Sequence, residues 1–486
     1  MNLRIAIARS NGLLGLLGLA SLCEPACSNS SVPQRDSSSA GTSQAPMPGP
    51  AGATKGTLES AALGGKTGVN STDSRTITGG TSGGSTGSTS TIAGNVTCMA
   101  GEFLSSIGKN HLIVGASMHD TTANLAPFDG RYQYIAGGFF DGPEPCASCA
   151  SGCTSNGASC ASTNTAGCGW WGCWQWDQEP PGQYIPKFLA ITDSATFDGH
   201  ANPQILMFSY YQLLPASGVT VGVAEVPALN NQPLLHRYFA DFRLVLQKIG
   251  SHLALLHIEP DLWGYVEHSG SDPHLIPAPV AGANPMDCPN FENSVAGMSR
   301  CLVSMVRKYA PNAKVGLHAS GWGTITNVLA NTDPQLDIAA EATKLGKYLI
   351  ALGASECDFV AADMIDRDAG FYQKQGLNTW WDATNVSLPN FHQAFAWAKA
   401  VSVTVGRPIV WWQIPVGNML QNDTPLHYRD NRVDYLMAHL DEVVAANGAG
   451  LFFGAGELQQ TAPETDGGNL LAKVKAYSAS PVSPCP

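Results

Sequence analysis

Eight times along this 486-residue chain a short apolar run breaks off into polar, acidic or aromatic residues. The runs cover 111–117, 132–136, 204–210, 253–258, 313–318, 358–362, 408–412 and 450–453. Between them lie longer segments with apolar residues at helical spacing, at 234–249, 291–309, 336–352, 390–403 and 432–446. In the first of these, Leu234, Leu235, Phe239, Phe242, Leu246 and Ile249 gather on one face. Short strands that are apolar on both faces need cover on both sides, and helices placed between successive strands supply it for a parallel sheet. Eight such units predict an α/β fold, a (β/α)8 TIM barrel. An open doubly wound sheet is the alternative, but no glycine-rich phosphate loop follows the first run.

Not all of the chain can join a core. Residues 1–27 read as an export signal, with Arg4 and Arg9 ahead of a leucine-rich stretch at 13–20 that is too short to span a bilayer. Cys23 and Cys27 are candidate lipid acceptors, which would tether the protein to a membrane. Residues 28–97 are Ser, Thr, Gly and Pro with almost no aromatics, a composition that buries too little to offset chain entropy. They read as a disordered linker, and the two G-x-S-x-G matches inside it, from Gly80 and Gly83, follow no strand as a nucleophile elbow must. Residues 98–486 remain for the barrel. The expected location is secreted or cell-surface.

The net charge is −12 and only 13% of residues are charged. Without a basic stripe, nucleic acid and anionic membrane surfaces are not expected partners, whereas a neutral polysaccharide fits. A monomer is expected. Six cysteines crowd into one stretch, Cys146, Cys149, Cys153, Cys160, Cys168 and Cys173. In an exported chain these predict a disulfide-rich loop insertion, at 141–186, over a zinc site. Cys98 with Cys485 and Cys288 with Cys301 are further expected pairs, leaving Cys357 free. The segments 141–186, 267–289 and 366–388 are long loops, each after a strand's C-terminal end, where barrels keep their active sites.

The strand ends carry the chemistry. The fourth run delivers Glu259 and Asp261 around Pro260, with Trp263 and Tyr265 just beyond. The sixth ends at Asp363, with Asp366 and Asp368 after it, and Glu457 follows the eighth. Cleavage of a glycosidic bond needs one carboxylic acid to protonate the leaving oxygen and a second carboxylate as nucleophile or base. Glu259, Asp363, Glu457 and Asp261 are therefore the candidate catalytic residues. His119, Tyr210, Trp263, His318, Trp322, Trp412 and Gln413 are candidate substrate contacts, through hydroxyl hydrogen bonds and ring stacking. Trp411 and Trp412 should point to opposite sides of their strand. The tryptophans at 170–176 are either a sugar platform or the filling of the cysteine-rich insertion. Arg429 and Asp430 are either rim contacts or a helix-start pair. No cofactor is expected. His119, Asp120 and Asp363 lack any known metal-ligand spacing, so no metal site is expected.

These strand ends resemble those of the secreted (β/α)8 glycoside hydrolases, above all the retaining superfamily called clan A. There the fourth strand ends in Asn-Glu-Pro with Glu as acid/base, and Ile258-Glu259-Pro260 stands at that place here. The resemblance implies that Glu259 is the acid/base. The seventh strand, Pro408-Ile-Val-Trp-Trp-Gln413, has an amide where that family has its nucleophilic Glu. Glu259-Pro-Asp261 is also similar to the Glu-Pro-Asp motif of inverting cellobiohydrolase-type enzymes, and His318-Ala-Ser-Gly-Trp322 to their Gly-His-x-Gly-Trp segment. The expectation is a secreted glycoside hydrolase cleaving a neutral polysaccharide, β-glucans among the candidates, by carboxylate acid/base catalysis. Two alternatives stay open: an inactive, tethered glycan-binding barrel, which Gln413 favours, and a metal-dependent carbohydrate-active hydrolase.

Overall fold

The computed structural model describes residues 98–136, 182, 184–270, 272–456 and 459–485. The expected signal, linker, lipid acceptors, cysteine cluster, 170–176 tryptophans and Glu457 lie outside these. Eight parallel strands close into a barrel: β1 (Ile113–Ala116), β2 (Gly130–Ile135), β3 (Ile205–Tyr210), β4 (Leu255–Ile258), β5 (Lys314–Ala319), β6 (Phe359–Ala362), β7 (Ile409–Ile414) and β8 (Gly448–Phe453). Each strand pairs with its neighbours in chain order, and β8 returns to β1 with Ile113 opposite Gly450 and Ala116 opposite Phe453. Every apolar run expected to be a strand is one.

Two apolar layers hold the barrel. Ile113, Tyr132, Met207, Leu255, Phe359, Val410, Trp412 and Phe452 fill the interior. Their alternates Val114, Phe208, Leu256, Leu317, Val360, Trp411 and Phe453 face outward into a helix-packed layer. Two large rings inside need room. A methyl group at Gly115 would lie 2.5 Å from the Phe452 ring, and one at Gly316 2.4 Å from the Phe359 ring. A helix ahead of the first strand, α1 (Met99–Ser106), plugs the barrel's lower end with Phe103, whose ring centroid is 5.6 Å from that of Phe359.

Four helices of the outer layer start on side-chain caps. These are α2 (Gln232–Ile249) on Asn231, α4 (Val295–Tyr309) on Ser294, α5 (Ile338–Leu352) on Asp337 and α6 (Phe391–Val405) on Asn390. Between α2 and α4, α3 (Leu262–Ser269) follows β4 directly. The expected single helix over 432–446 is broken into α7 (Arg432–Ala438) and α8 (Leu440–Ala445). His439 leaves helical torsions there and stacks its ring 4.2 Å from Tyr435. Cys98 pairs with Cys485 and Cys288 with Cys301, while Cys357 is a buried free thiol. Among the described residues no helix is long and apolar enough to cross a membrane.

Candidate active site

Three successive strands bring one functional group each to the C-terminal mouth. On β5 and β6 the period-two alternation that turns Gly316 and Ala361 inward carries on to His318 and Asp363. On β4, Asp261 stands just past the strand, immediately before α3, in the left-handed region at φ +70°. Asp261, His318 and Asp363 each offer an oxygen or nitrogen, and these atoms lie within 4.8 Å of one another. His318 Nε2 is 3.3 Å from Asp363 Oδ2, and Asp363 Oδ1 accepts the Ile365 N–H at 3.0 Å.

Behind this group runs a polar chain into the barrel. His318 Nδ1 sits 3.1 Å from His257 Nε2, and His257 Nδ1 sits 3.4 Å from Ser209 Oγ. Both rings are buried, and both meet Trp412 edge-on, at 4.7 Å for His257 and 5.8 Å for His318. Burial, and then the neighbouring His318, hold His257 well below the ordinary imidazole range, so it stays neutral. The contact with His257 holds the tilt of the His318 ring. Burial also raises Asp261, to about 6; His318 pulls it down, while Asp363 and Asp366 push it up.

Gln413 is delivered by an irregularity. Between β7 and β8, Trp411 pairs with Leu451 but Ile414 with Phe453, so β7 carries one extra residue. Gln413 takes φ +54° at this bulge, and its Oε1 accepts the Tyr134 hydroxyl at 2.6 Å. Trp412 and Gln413, adjacent in sequence, therefore both reach the interior side. A methyl group at Gly456 would lie 2.4 Å from Gln413 Nε2, so a glycine beyond β8 leaves space for the amide. Aromatic rings wall the mouth. Tyr265 packs 4.7 Å from Trp322, and the charge of Asp261 raises the hydroxyl pKa of Tyr134, Tyr211 and Tyr265 after burial has done so.

Several residues expected at the site lie elsewhere. Glu259 would face inward with Leu255 and His257 if alternation continued, but its left-handed torsion, φ +47°, turns it aside. Its Oε1 instead accepts the N–H groups of Gln212 (3.1 Å) and Leu213 (3.0 Å), fully buried, and burial lifts its carboxyl to about 8. There the carboxyl is anchored by two backbone N–H groups beyond the end of β3. Tyr210 is also buried on the outer side of β3, where its hydroxyl donates to Asp241 at 2.8 Å. Trp263 is buried on α3 and donates to the Ile258 carbonyl at 2.9 Å. Asp430 is buried against Arg432 at 2.6 Å, which leaves it no rim contact. His119 donates its backbone N–H to Glu464 and is half-buried.

Trp322, Trp412, His318, Gln413, Asp261 and Asp363 are brought together. Tyr134 and Tyr211 were not singled out by sequence. The alternation that places Tyr132 inside also places Tyr134 there, so the signal was available.

Asp261, His318 and Asp363 also form a donor set suited to a divalent cation. It has two carboxylates and an imidazole whose second nitrogen is already engaged. No protein-family model matches the chain, and no curated protein matches it in sequence. Among solved structures, a GH5 xyloglucanase from Bacteroides ovatus in complex with a heptasaccharide is 11% identical over 77% of this chain and 76% of its own, with a TM-score of 0.41. A modular endo-β-1,4-mannanase from Cellulomonas fimi is 12% identical over 79% and 75%, TM-score 0.41. A pyruvate carboxylase from Rhizobium etli is 12% identical over 80% of this chain and 28% of its own, TM-score 0.33. Glycan hydrolases thus stand among the structural neighbours, at a similarity that carries no chemistry across; the barrel itself rests on the strand pairing described above.

Proposed function

We propose that this protein hydrolyses a glycosidic bond in a neutral polysaccharide, with Asp261 as general acid and Asp363 as the second carboxylate. The observation that carries the reading is the meeting of these two carboxylates, from β4 and β6, at an aromatic-walled barrel mouth. Glycoside cleavage needs one carboxyl protonated and its partner ionised. Burial raises Asp261 toward the protonated state, while Asp363 accepts the Ile365 N–H at 3.0 Å and stands 3.3 Å from His318 Nε2. Tyr265 and Trp322 offer flat apolar faces to sugar rings, and Gln413 with Tyr134 offers hydrogen bonds to hydroxyls.

Asp261→Asn keeps the shape but cannot protonate the leaving oxygen. It should lower kcat on a glycan by roughly 10²–10⁴-fold, and far less on an activated aryl glycoside, whose leaving group needs little help. Full activity of this variant on every glycan that the native protein cleaves would sink the assignment.

The second reading is a metal-dependent hydrolase, and the specific observation behind it is the donor set of Asp261, His318 and Asp363 within 4.8 Å. The two readings differ in sign with pH. A general acid must be protonated, so kcat/KM falls as pH rises through about 6. Metal ligands must be deprotonated, so activity falls as pH drops. Activity abolished by a chelator and restored by a divalent cation would select the second reading.

A further inference from the structure

Beside the mouth, between α3 and α5 and under the turn that follows β5, runs an open cleft of about 1120 Å³. Its lining includes Glu267 and His268 of α3, Thr324 of the turn, and Lys344, Lys347 and Tyr348 of α5. Two polar groups here lack hydrogen-bond partners among the described residues. They are the buried hydroxyl of Tyr348, a residue only 6% exposed, and the buried Oε2 of Glu267. Buried polar atoms are ordinarily paired, and an orphan in a cleft marks a place where a partner is supplied from outside. The backbone makes room for the carboxylate, because a methyl group at Gly323 would lie 2.9 Å from Glu267 Oε2.

The cleft is lined by charges of both signs, Glu267, Asp272 and Asp337 with Lys344 and Lys347, so neither an anion nor a polycation is selected. A neutral ligand rich in hydroxyl groups satisfies all of them, since each hydroxyl both donates and accepts. The cleft and the mouth share helix α3. Asp261 stands at the start of α3, and Glu267 and His268 near its end, six and seven residues on, or roughly 9–10 Å along the axis. The Tyr265 ring beside Asp261 packs on Trp322, and the Trp322 carbonyl lies 2.8 Å from His268 Nε2. The packed Tyr265 and Trp322 rings thus connect the start of α3 to His268, which lines the cleft.

We infer that this cleft is a second glycan-binding site, which holds a run of sugar units of the same polysaccharide away from the scissile bond. The inference rests on the proposed glycan-hydrolase reading and goes beyond it in assigning Tyr348, Glu267 and the α3–α5 cleft to the polymer. Such a site would keep a long chain seated between cleavages.

The test uses the full chain carrying Asp261→Asn, so that the polymer survives. Migration in native gels containing mixed-linkage β-glucan, galactomannan or xyloglucan measures retention by each polysaccharide. Retardation by one of the three is expected. Tyr348→Phe, which removes only the orphan hydroxyl, and Glu267→Gln, which removes the charge, should each weaken that retention by roughly 2–10-fold, the worth of one hydrogen bond. Melting curves matching those of the parent exclude misfolding as the cause. Retention unchanged in both variants overturns the inference, as does retardation by none of the three polysaccharides. Neither outcome touches the role of Asp261, which stands or falls on the activity of Asp261→Asn alone.

Discussion

At Glu259 the backbone turns left-handed, and that one torsion separates the two carboxylates of the Glu-Pro-Asp triplet. Glu259 goes under the helix layer to bind two N–H groups at the exit of β3, and Asp261 goes to the mouth. Non-glycine residues at positive φ are uncommon and concentrate where surrounding structure imposes them for function. Glu259, Asp261, Ile365 and Gln413 all show it at strand exits. The buried Glu259 makes a sharp prediction. Its folded pKa is raised to about 8 from an ordinary 4.5, so the folded state holds a proton that the unfolded state has released. The associated stability is full below pH 4.5 and is lost as pH rises toward 8. Glu259→Gln keeps an acceptor for both N–H groups and never ionises. Urea titrations should therefore show native and variant about equal near pH 4, and the variant more stable by a few kcal/mol near pH 9. A variant less stable at pH 9 would show that the charged form is the one the fold holds.

At the scale of elements, the loops beyond β6 and β7 are locked together by one buried ion pair. Arg432 and Asp430 are both fully buried; Asp430 also accepts the Ala369 N–H at 2.7 Å, and Arg432 donates to the Thr379 carbonyl at 3.0 Å. Arg432→Met would strand the Asp430 charge, at a cost of about 3–5 kcal/mol. Adding Asp430→Asn should recover part of that loss, which a double-mutant cycle by chemical denaturation would read. The eight strands themselves were legible from sequence, because each is an apolar run short enough to be nothing else between two helical segments. Alternation within them was legible too, and it places Tyr210 outward, His318 and Asp363 inward. What alternation does not encode is its own interruption. The left-handed turn at Glu259 and the extra residue at Gln413 each swap the face that a side chain reaches, and neither leaves a glycine or proline at the position itself. The break at His439 was hidden for a similar reason, since apolar periodicity continues across it.

For the whole molecule, the covalent link from Cys98 to Cys485 spans 387 residues. It fastens α1, the plug of the barrel's lower end, to the end of the described chain. A closed loop of that length restricts the unfolded chain, by the entropy of loop closure, on the order of 5 kcal/mol. Replacing both cysteines by alanine should lower the melting temperature in calorimetry without altering the pH profile of activity, because the link and the mouth lie at opposite ends of the barrel. A change in that profile would mean that the plug positions the carboxylates.

The same bond makes the barrel a ring in the covalent sense. A protease that cuts one loop of a linear chain makes two pieces; a single cut between Cys98 and Cys485 leaves one molecule. Under non-reducing conditions such a nicked protein keeps its full mass and comes apart only when a reductant is added. The ring also has no obligatory opening: a peptide joining 98 to 485, with new ends made in a surface loop, preserves every strand pairing. A fold that survives its first cut has a different kind of durability from a high melting point.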